Sequence, residues 1–150
     1  MAATPTYDCD ILVVGTGPAG LVAALAMARA GLATIAVGPA VDPARDTRTT
    51  ALFTGSVALL KNLGLDARLV SAMVPMTGLR LIDDTGGIWR APETLFRAEE
   101  LGLEQFGINI DNAALNRALL AAVHEQPALR LIEDTVAPDF QSDENAVCVK

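Results

Sequence analysis

The sequence predicts an α/β fold: a parallel βαβ unit near the N-terminal end, a short antiparallel sheet part-way along, and then a return to helix and strand. Three observations carry that prediction. An unalternating apolar run, Ile11-Leu12-Val13-Val14, leads straight into glycines spaced G-x-G-x-x-G at Gly15, Gly17 and Gly20. An alanine-rich segment with a helical-period apolar stripe follows, and then a second apolar run over residues 33–37. Further on, "GLRLIDD" and "GIWRAP" flank a Thr-Gly-Gly turn within 78–98, a texture of antiparallel strands.

Each element has its own reason. Residues 10–15 form the first strand, and its lack of alternation predicts a strand buried on both faces of a parallel sheet. Residues 18–30 form a helix on which Leu21, Leu25 and Ala28 share one stripe, while Ala23 and Ala24 permit close packing. Gly31 ends it. "ATIAV", residues 33–37, is the second strand and completes the βαβ unit. Residues 38–48 are a Pro- and Asp-containing loop. Leu52, Leu59, Leu60 and Leu63 mark a second helix, ended by Gly64. After the antiparallel region, Asp111 is the expected cap of a helix over 112–124, with Leu115, Leu119, Leu120 and Val123 on one side. "ALRLIED" and "AVCVK" read as strands. The chain stops at Lys150 directly after the apolar "AVCV", so it is expected to be a cut piece of a longer fold whose last strand lacks its partner.

Composition narrows the function classes. The chain has 150 residues, and 51% of them are hydrophobic, enough for a core in a domain of ordinary size. Net charge is −7 and the 11 basic residues are scattered, which argues against a nucleic-acid partner. The apolar stretch from Gly20 to Val37 is interrupted by Arg29 and Gly31, so it reads as helix, turn and strand and not as a membrane span. The first residues are polar and lack a basic leader region, unlike a signal peptide. Cys9 and Cys148 form no redox or ligand motif, which fits two free thiols in a reducing cytosol, and no metal cluster is expected.

The glycine turn is the candidate site. The first glycine permits the tight turn, the second lets backbone approach a pyrophosphate, and the third lets helix and strand pack closely. Gly15, Gly17, Pro18, Ala19 and Gly20 would then present amides at a helix N-terminus to anionic phosphates. A glycine turn without a ligand is the alternative; the strand before it and the helix after it favour a nucleotide. The acid that usually ends the second strand and binds ribose hydroxyls is missing, because Gly38 stands there, followed by Pro39. Asp42 or Asp46 reaches in from the loop, or each is an ordinary solvated acid; the sequence leaves both open.

"DTRTTALFTGSVALLKNLGL", residues 46–65, closely resembles the segment after the second strand in the UbiH/UbiF-type, FAD-dependent aromatic-ring monooxygenases of ubiquinone biosynthesis. "FGINIDNAALNRALLAAV", residues 106–123, resembles a later helix start of the same family. Order and spacing agree, so the resemblance covers nearly the whole chain. It implies the fold of the para-hydroxybenzoate hydroxylase class: a Rossmann-like FAD-binding βαβ domain with part of an antiparallel substrate-domain sheet. Residues 1–75 and 108–150 would be the partial FAD-binding domain, and 76–107 part of the substrate-binding region. It also implies hydroxylation of a phenolic ring of a ubiquinone precursor using FAD, NAD(P)H and O2. The implied partner is a polyprenylated phenol, and the implied location is the cytoplasm with peripheral association at the inner membrane or with other ubiquinone-biosynthesis proteins. Arg48 matches the family's loop arginine, which contacts the flavin cofactor near the pyrophosphate, a role that suits a forked guanidinium. A surface arginine paired with Asp46 is the alternative. Asn112 aligns with a polar cofactor-contacting position, with helix capping as its alternative. The family's Asp-Gly and Gly-Asp segments, which serve the NAD(P)H and ribityl parts of the site, are absent from these residues.

Other residues of chemical type are expected to be structural. His124, the single histidine, sits where an imidazolium would favour a helix C-terminus. Trp89 and Phe96 would pack in the antiparallel sheet in preference to lining a ring pocket, and Asp83 and Asp84 are turn acids. No catalytic acid–base pair can be named. Two other functions are compatible with the glycine turn: a non-catalytic Rossmann-like nucleotide-binding module, and an NAD-dependent dehydrogenase, which Gly38 disfavours.

Overall fold

The computed structural model describes residues 8–133, 139–142, 144 and 146–149. The chain divides into two units, one of residues up to Arg45 and from Leu115 on, the other Asp46–Ala114.

The first unit is the βαβ unit and its extension. Strand β1 (Ile11–Val14) pairs in parallel with β2 (Thr34–Val37), Ile11 opposite Thr34, and β2 pairs in parallel with β8 (Leu129–Ile132), Thr34 opposite Leu129. Helix α1 (Pro18–Arg29) packs on β1 and β2 and buries Leu21, Ala24, Leu25 and Ala28. A fully buried leucine contributes roughly 1.5–3 kcal/mol, so Leu21 and Leu25 hold this layer together. Gly31 ends the helix as expected: at φ +88° it lets its own amide reach Ala28 O (3.1 Å) and that of Leu32 reach Met27 O (3.2 Å). The stretch from Gly20 to Val37 is thus helix, turn and strand, and among the described residues no helix is long and apolar enough to cross a membrane. β1 departs from expectation. Ile11, Leu12 and Val13 are only half-buried and Val14 is 56% exposed, because β1 pairs on one side alone among the described residues.

In the second unit, β3 (Thr49–Phe53), β7 (Gly107–Asp111) and β4 (Met73–Met76) form an antiparallel sheet in the order β3-β7-β4. Helices α2 (Thr54–Asn62) and α3 (Asp66–Leu69) follow β3, and Gly64, at φ +62°, ends α2. Leu52 is not helical as its spacing suggested: Thr49–Phe53 alternates along a strand, and pairing of Leu52 with Ile108 on β7 overrides the leucine pattern. The antiparallel region is a two-stranded ribbon, β5 (Gly78–Leu81) with β6 (Thr94–Arg97); "GLRL" is a strand as expected, but "GIWRAP", 87–92, belongs to the connection, and the partner strand starts only at Thr94. Trp89 lies in its connection and is 93% exposed, so it does not pack in the sheet; Phe96 is on β6, 45% exposed. The expected sheet packing fails for Trp89 because the loop carries it away from both strands.

Helix α4 (Asn112–His124) continues directly from β7, and the Asp111 carboxylate caps it, accepting from Ala114 N at 2.8 Å. β9 (Phe140–Ser142) and β10 (Val147–Val149) form an antiparallel pair. The strand within "AVCV" therefore has a partner, contrary to expectation: Val147 pairs with Ser142.

Candidate nucleotide-binding site

The fold explains two of the three motif glycines but not the third. Gly15 sits at φ +120°, a conformation that side chains rarely adopt, while its amide donates to Val37 O at 2.8 Å and ties the turn to the end of β2. A Cβ on Gly20 would stand 2.0 Å from Gly15 O, so glycine there is demanded by the contact of helix with turn. Gly17 differs. It is the N-cap of α1 with φ −69° and ψ 174°, ordinary extended backbone, and a Cβ there would meet no atom within 4 Å. Neither backbone strain nor protein packing requires glycine at 17.

The helix start beside it suits an anion. Pro18 occupies the first helical position and has no N–H to leave unsatisfied. The first bond of the helix runs from Leu21 N to Gly17 O at 2.9 Å, so the amides of Ala19 and Gly20 have no acceptor within the helix. No side chain caps this end and no acidic residue lies in its first turn. The positive end of the helix dipole is therefore unneutralised by the helix itself.

The missing ribose acid has a physical cause in Thr16, which the sequence reading passed over. Thr16 is 2% exposed, and its hydroxyl donates to Pro39 O. A Cβ on Gly38 would lie 2.8 Å from Thr16 Oγ1 and 2.9 Å from Thr16 N. The threonine inside the fingerprint occupies the space that a side chain at the end of β2 would need. The usable signal was the coincidence of a β-branched residue in the turn with glycine at the strand end.

Arg48 and Asn112 come together in the second unit through Asp46. Arg48 Nε donates to Asp46 Oδ1 and Nη2 to Oδ2, both at 2.9 Å, and the Arg48 amide donates to Oδ1 at 3.1 Å. Asn112 Nδ2 donates to Asp46 Oδ2 at 3.0 Å, and the Asn112 Oδ1 accepts the Thr50 hydroxyl. The Asn112 amide also donates to Arg48 O at 3.0 Å. The Arg48 guanidinium, then Asn112, hold the Asp46 carboxyl far below its ordinary range, and Asp46 in turn raises Arg48. Asn112 is the first residue of α4 but not its cap, since Asp111 fills that place. Asn116, one turn on, is buried with its Oδ1 unpaired among the described residues; it too was missed, being one polar residue in an apolar stripe.

The remaining candidates are structural or exposed. Asp42 accepts from Ala44 N at 3.0 Å and pairs with Arg45 at 3.3 Å. Asp83 closes the Thr-Gly-Gly turn: it takes Ala91 N at 2.9 Å and both the hydroxyl (2.7 Å) and amide (3.1 Å) of Thr85, and these bonds, Ala91 first, lower its pKa. Asp84 is exposed beside it, and His124 is the exposed last residue of α4.

A parallel βαβ unit whose glycine turn opens onto an uncapped helix N-terminus defines a dinucleotide-binding α/β domain. Residues 8–147 match the family described as FAD binding domain, and the chain belongs to that family. It is 28% identical over 152 residues to FAD-dependent monooxygenase ankC of Aspergillus thermomutatus, covering 92% of this chain and 24% of that protein. Among solved structures, the flavin-dependent monooxygenase PieE, in complex with FAD and substrate, is similar with a TM-score of 0.67 and 25% identity, over 97% of this chain and 27% of that one. The p-nitrophenol 4-monooxygenase PnpA from Pseudomonas putida shares the fold with a TM-score of 0.71 and 16% identity, over 93% of this chain and 35% of that one. The chain thus spans 24–35% of the length of these relatives. A family of FAD-binding domains does not favour the NAD-dependent dehydrogenase or the non-catalytic module.

Proposed function

We propose that this chain holds the adenosine and diphosphate part of FAD in a flavin-dependent monooxygenase that hydroxylates an aromatic ring. The observation that carries the reading is Gly17: an ordinary backbone conformation, open space where its Cβ would stand, and helix amides at Ala19 and Gly20 beside it that have no acceptor among the described residues. Gly15 and Gly20 shape the turn, Pro18 starts the helix without an N–H to satisfy, and Arg48 adds a charged contact to a phosphate oxygen. Asn112 serves the cofactor by holding Asp46. Bound flavin supplies the oxygen-transfer chemistry, and the polypeptide binds, orients and excludes water.

The finer reading rests on the resemblance of residues 46–65 and 106–123. It makes the substrate a phenolic ring of a ubiquinone precursor, the reductant NAD(P)H, and residues 76–107 part of the substrate-binding region. It places the protein in the cytoplasm, peripheral at the inner membrane.

Two measurements test this. Gly17→Val puts a branched side chain where the diphosphate approaches and is expected to abolish flavin binding in the intact protein; normal yellow-flavin occupancy in the folded variant would refute the site. Oxygen uptake with NADH or NADPH, across simple phenols and polyprenylated ubiquinone precursors, tests the chemistry. Stimulation by the precursors supports the finer reading, and stimulation by other aromatics alone replaces it.

A further inference from the structure

We infer that Asp46 is a positioning residue: it fixes the plane of the Arg48 guanidinium so that one edge faces a carboxylate and the other is left for a phosphate. The inference rests on the proposed contact between Arg48 and the FAD diphosphate. A guanidinium has two edges that can grip an anion with paired N–H groups. Asp46 takes the Nε–Nη2 edge with two bonds of 2.9 Å. The Nη1–Nη2 edge keeps the geometry that a phosphate needs.

The rest of the cluster holds the carboxylate still. The Asp46 side chain is 21% exposed and that of Arg48 81%, so the acid is rooted in the protein while the arginine stands out from it. Asn112 Nδ2 donates to Asp46 Oδ2, Thr50 locks the Asn112 amide from its other end, and the Asn112 backbone amide grips Arg48 O. Asp46 thereby ties the loop arginine to the first residue of a 13-residue helix. Each end of the buried Asn112 amide makes one bond, and the Nδ2 bond ties the asparagine to Asp46. A long exposed side chain loses rotamer freedom when it binds; an arginine already held by two bonds has less to lose.

Charge alone predicts the opposite effect, which makes the inference sharp. A carboxylate near a bound diphosphate repels it, so deleting Asp46 for its charge would tighten FAD. If Asp46 works by holding Arg48, deleting it weakens FAD. The experiment is a double-mutant cycle in the intact protein, with FAD dissociation constants read by quenching of flavin fluorescence at low and high salt. Arg48→Ala is expected to weaken FAD about ten- to a hundredfold. Asp46→Ala is expected to weaken it about three- to tenfold, and to have no further weakening effect in the Arg48→Ala background. Asp46→Asn keeps the shape and an acceptor oxygen, covers the case in which alanine unfolds the chain, and should show a smaller loss of the same sign. Unchanged or tighter FAD in either Asp46 variant overturns the inference, as does an equal loss when Arg48 is already absent. If Arg48→Ala itself binds FAD normally, the inference and the arginine's contact both fall, while the glycine turn stands or falls separately by Gly17→Val.

Discussion

The glycines at 17 and 20 lie three residues apart and should fail in opposite ways when each becomes alanine. At Gly20 the new Cβ would stand 2.0 Å from the Gly15 carbonyl oxygen and 2.9 Å from its carbon. Both are backbone atoms of a turn already bonded to β2, so no side chain can swing aside. Overpacking costs about 1–3 kcal/mol when neighbours can adjust, and a backbone obstacle places Gly20→Ala at about 3 kcal/mol or more. For a two-state domain of 150–250 residues that is a fall in Tm of roughly 6–12 °C. At Gly17 the Cβ meets nothing, and φ −69° suits alanine. Alanine is a poorer N-cap than glycine by about 0.5 kcal/mol, but it gains about as much by restricting the unfolded chain, so the Tm should barely move. Flavin binding should separate from stability: Gly17→Ala is expected to weaken FAD in a fully folded protein, whereas Gly20→Ala loses FAD together with its melting temperature. Thermal melts by circular dichroism and flavin titrations on the intact protein decide it. A Gly20→Ala protein that melts like the wild type, or a Gly17→Ala protein that melts far below it, would refute the division between fold and ligand.

Two further outcomes follow from the same geometry. Gly38→Asp, which restores the acid usual at the end of the second strand, is expected to lower the Tm and not to tighten FAD, because its Cβ meets Thr16 Oγ1 at 2.8 Å; adding Thr16→Ala should recover part of the loss, and a Gly38→Asp protein with normal Tm counts against the contact. Asp46 has its pKa depressed far below the ordinary 3.8, first by Arg48 and then by Asn112. Its stabilising contribution is therefore complete above about pH 4 and is lost as pH falls below that, the more slowly in high salt. Urea midpoints at pH 6 and pH 3 should drop further for the wild type than for Asp46→Asn, and equal drops would show that the cluster contributes nothing.

Local rules made the first unit legible. The G-x-G-x-x-G spacing, the apolar runs on either side and the glycine at 31 act over a few residues, and α1, β2 and the turn fell where those rules put them. Tertiary contacts decided what was misread. Leu52 has a helical neighbour pattern, but its partner is Ile108, more than fifty residues on, and no local window contains that pairing. The absence of an acid at 38 looked like a gap in the site until Thr16 was seen to fill the same space from a separation of 22 positions. The pairing of Arg48 with Asp46 could be anticipated because the two are neighbours in sequence; the third member, Asn112, lies 66 residues from Asp46 and its role became visible only in the fold. Trp89 resisted for another reason: an aromatic beside strand-like residues looks like sheet, and only the path of the loop shows it outside.

The first unit is discontinuous, and this bears on the order in which the molecule is built. β2 is paired on one side by β1, made almost immediately, and on the other by β8, whose Leu129 meets Thr34. The whole of Asp46–Ala114 lies between them. During synthesis the inserted unit emerges from the ribosome before β8 does, so it has the opportunity to fold first. If it does, it shortens the span that β8 must close from roughly 90 residues to about 20 free ones plus a rigid insert, which lowers the entropic cost of closure by about 1 kcal/mol. Until β8 arrives, one edge of β2 stands open beside the nascent glycine turn. Pairing of β8 with β2 is the most non-local contact of the first unit, the kind that general topology makes slow to form, and a folded insert would shorten the chain that has to close.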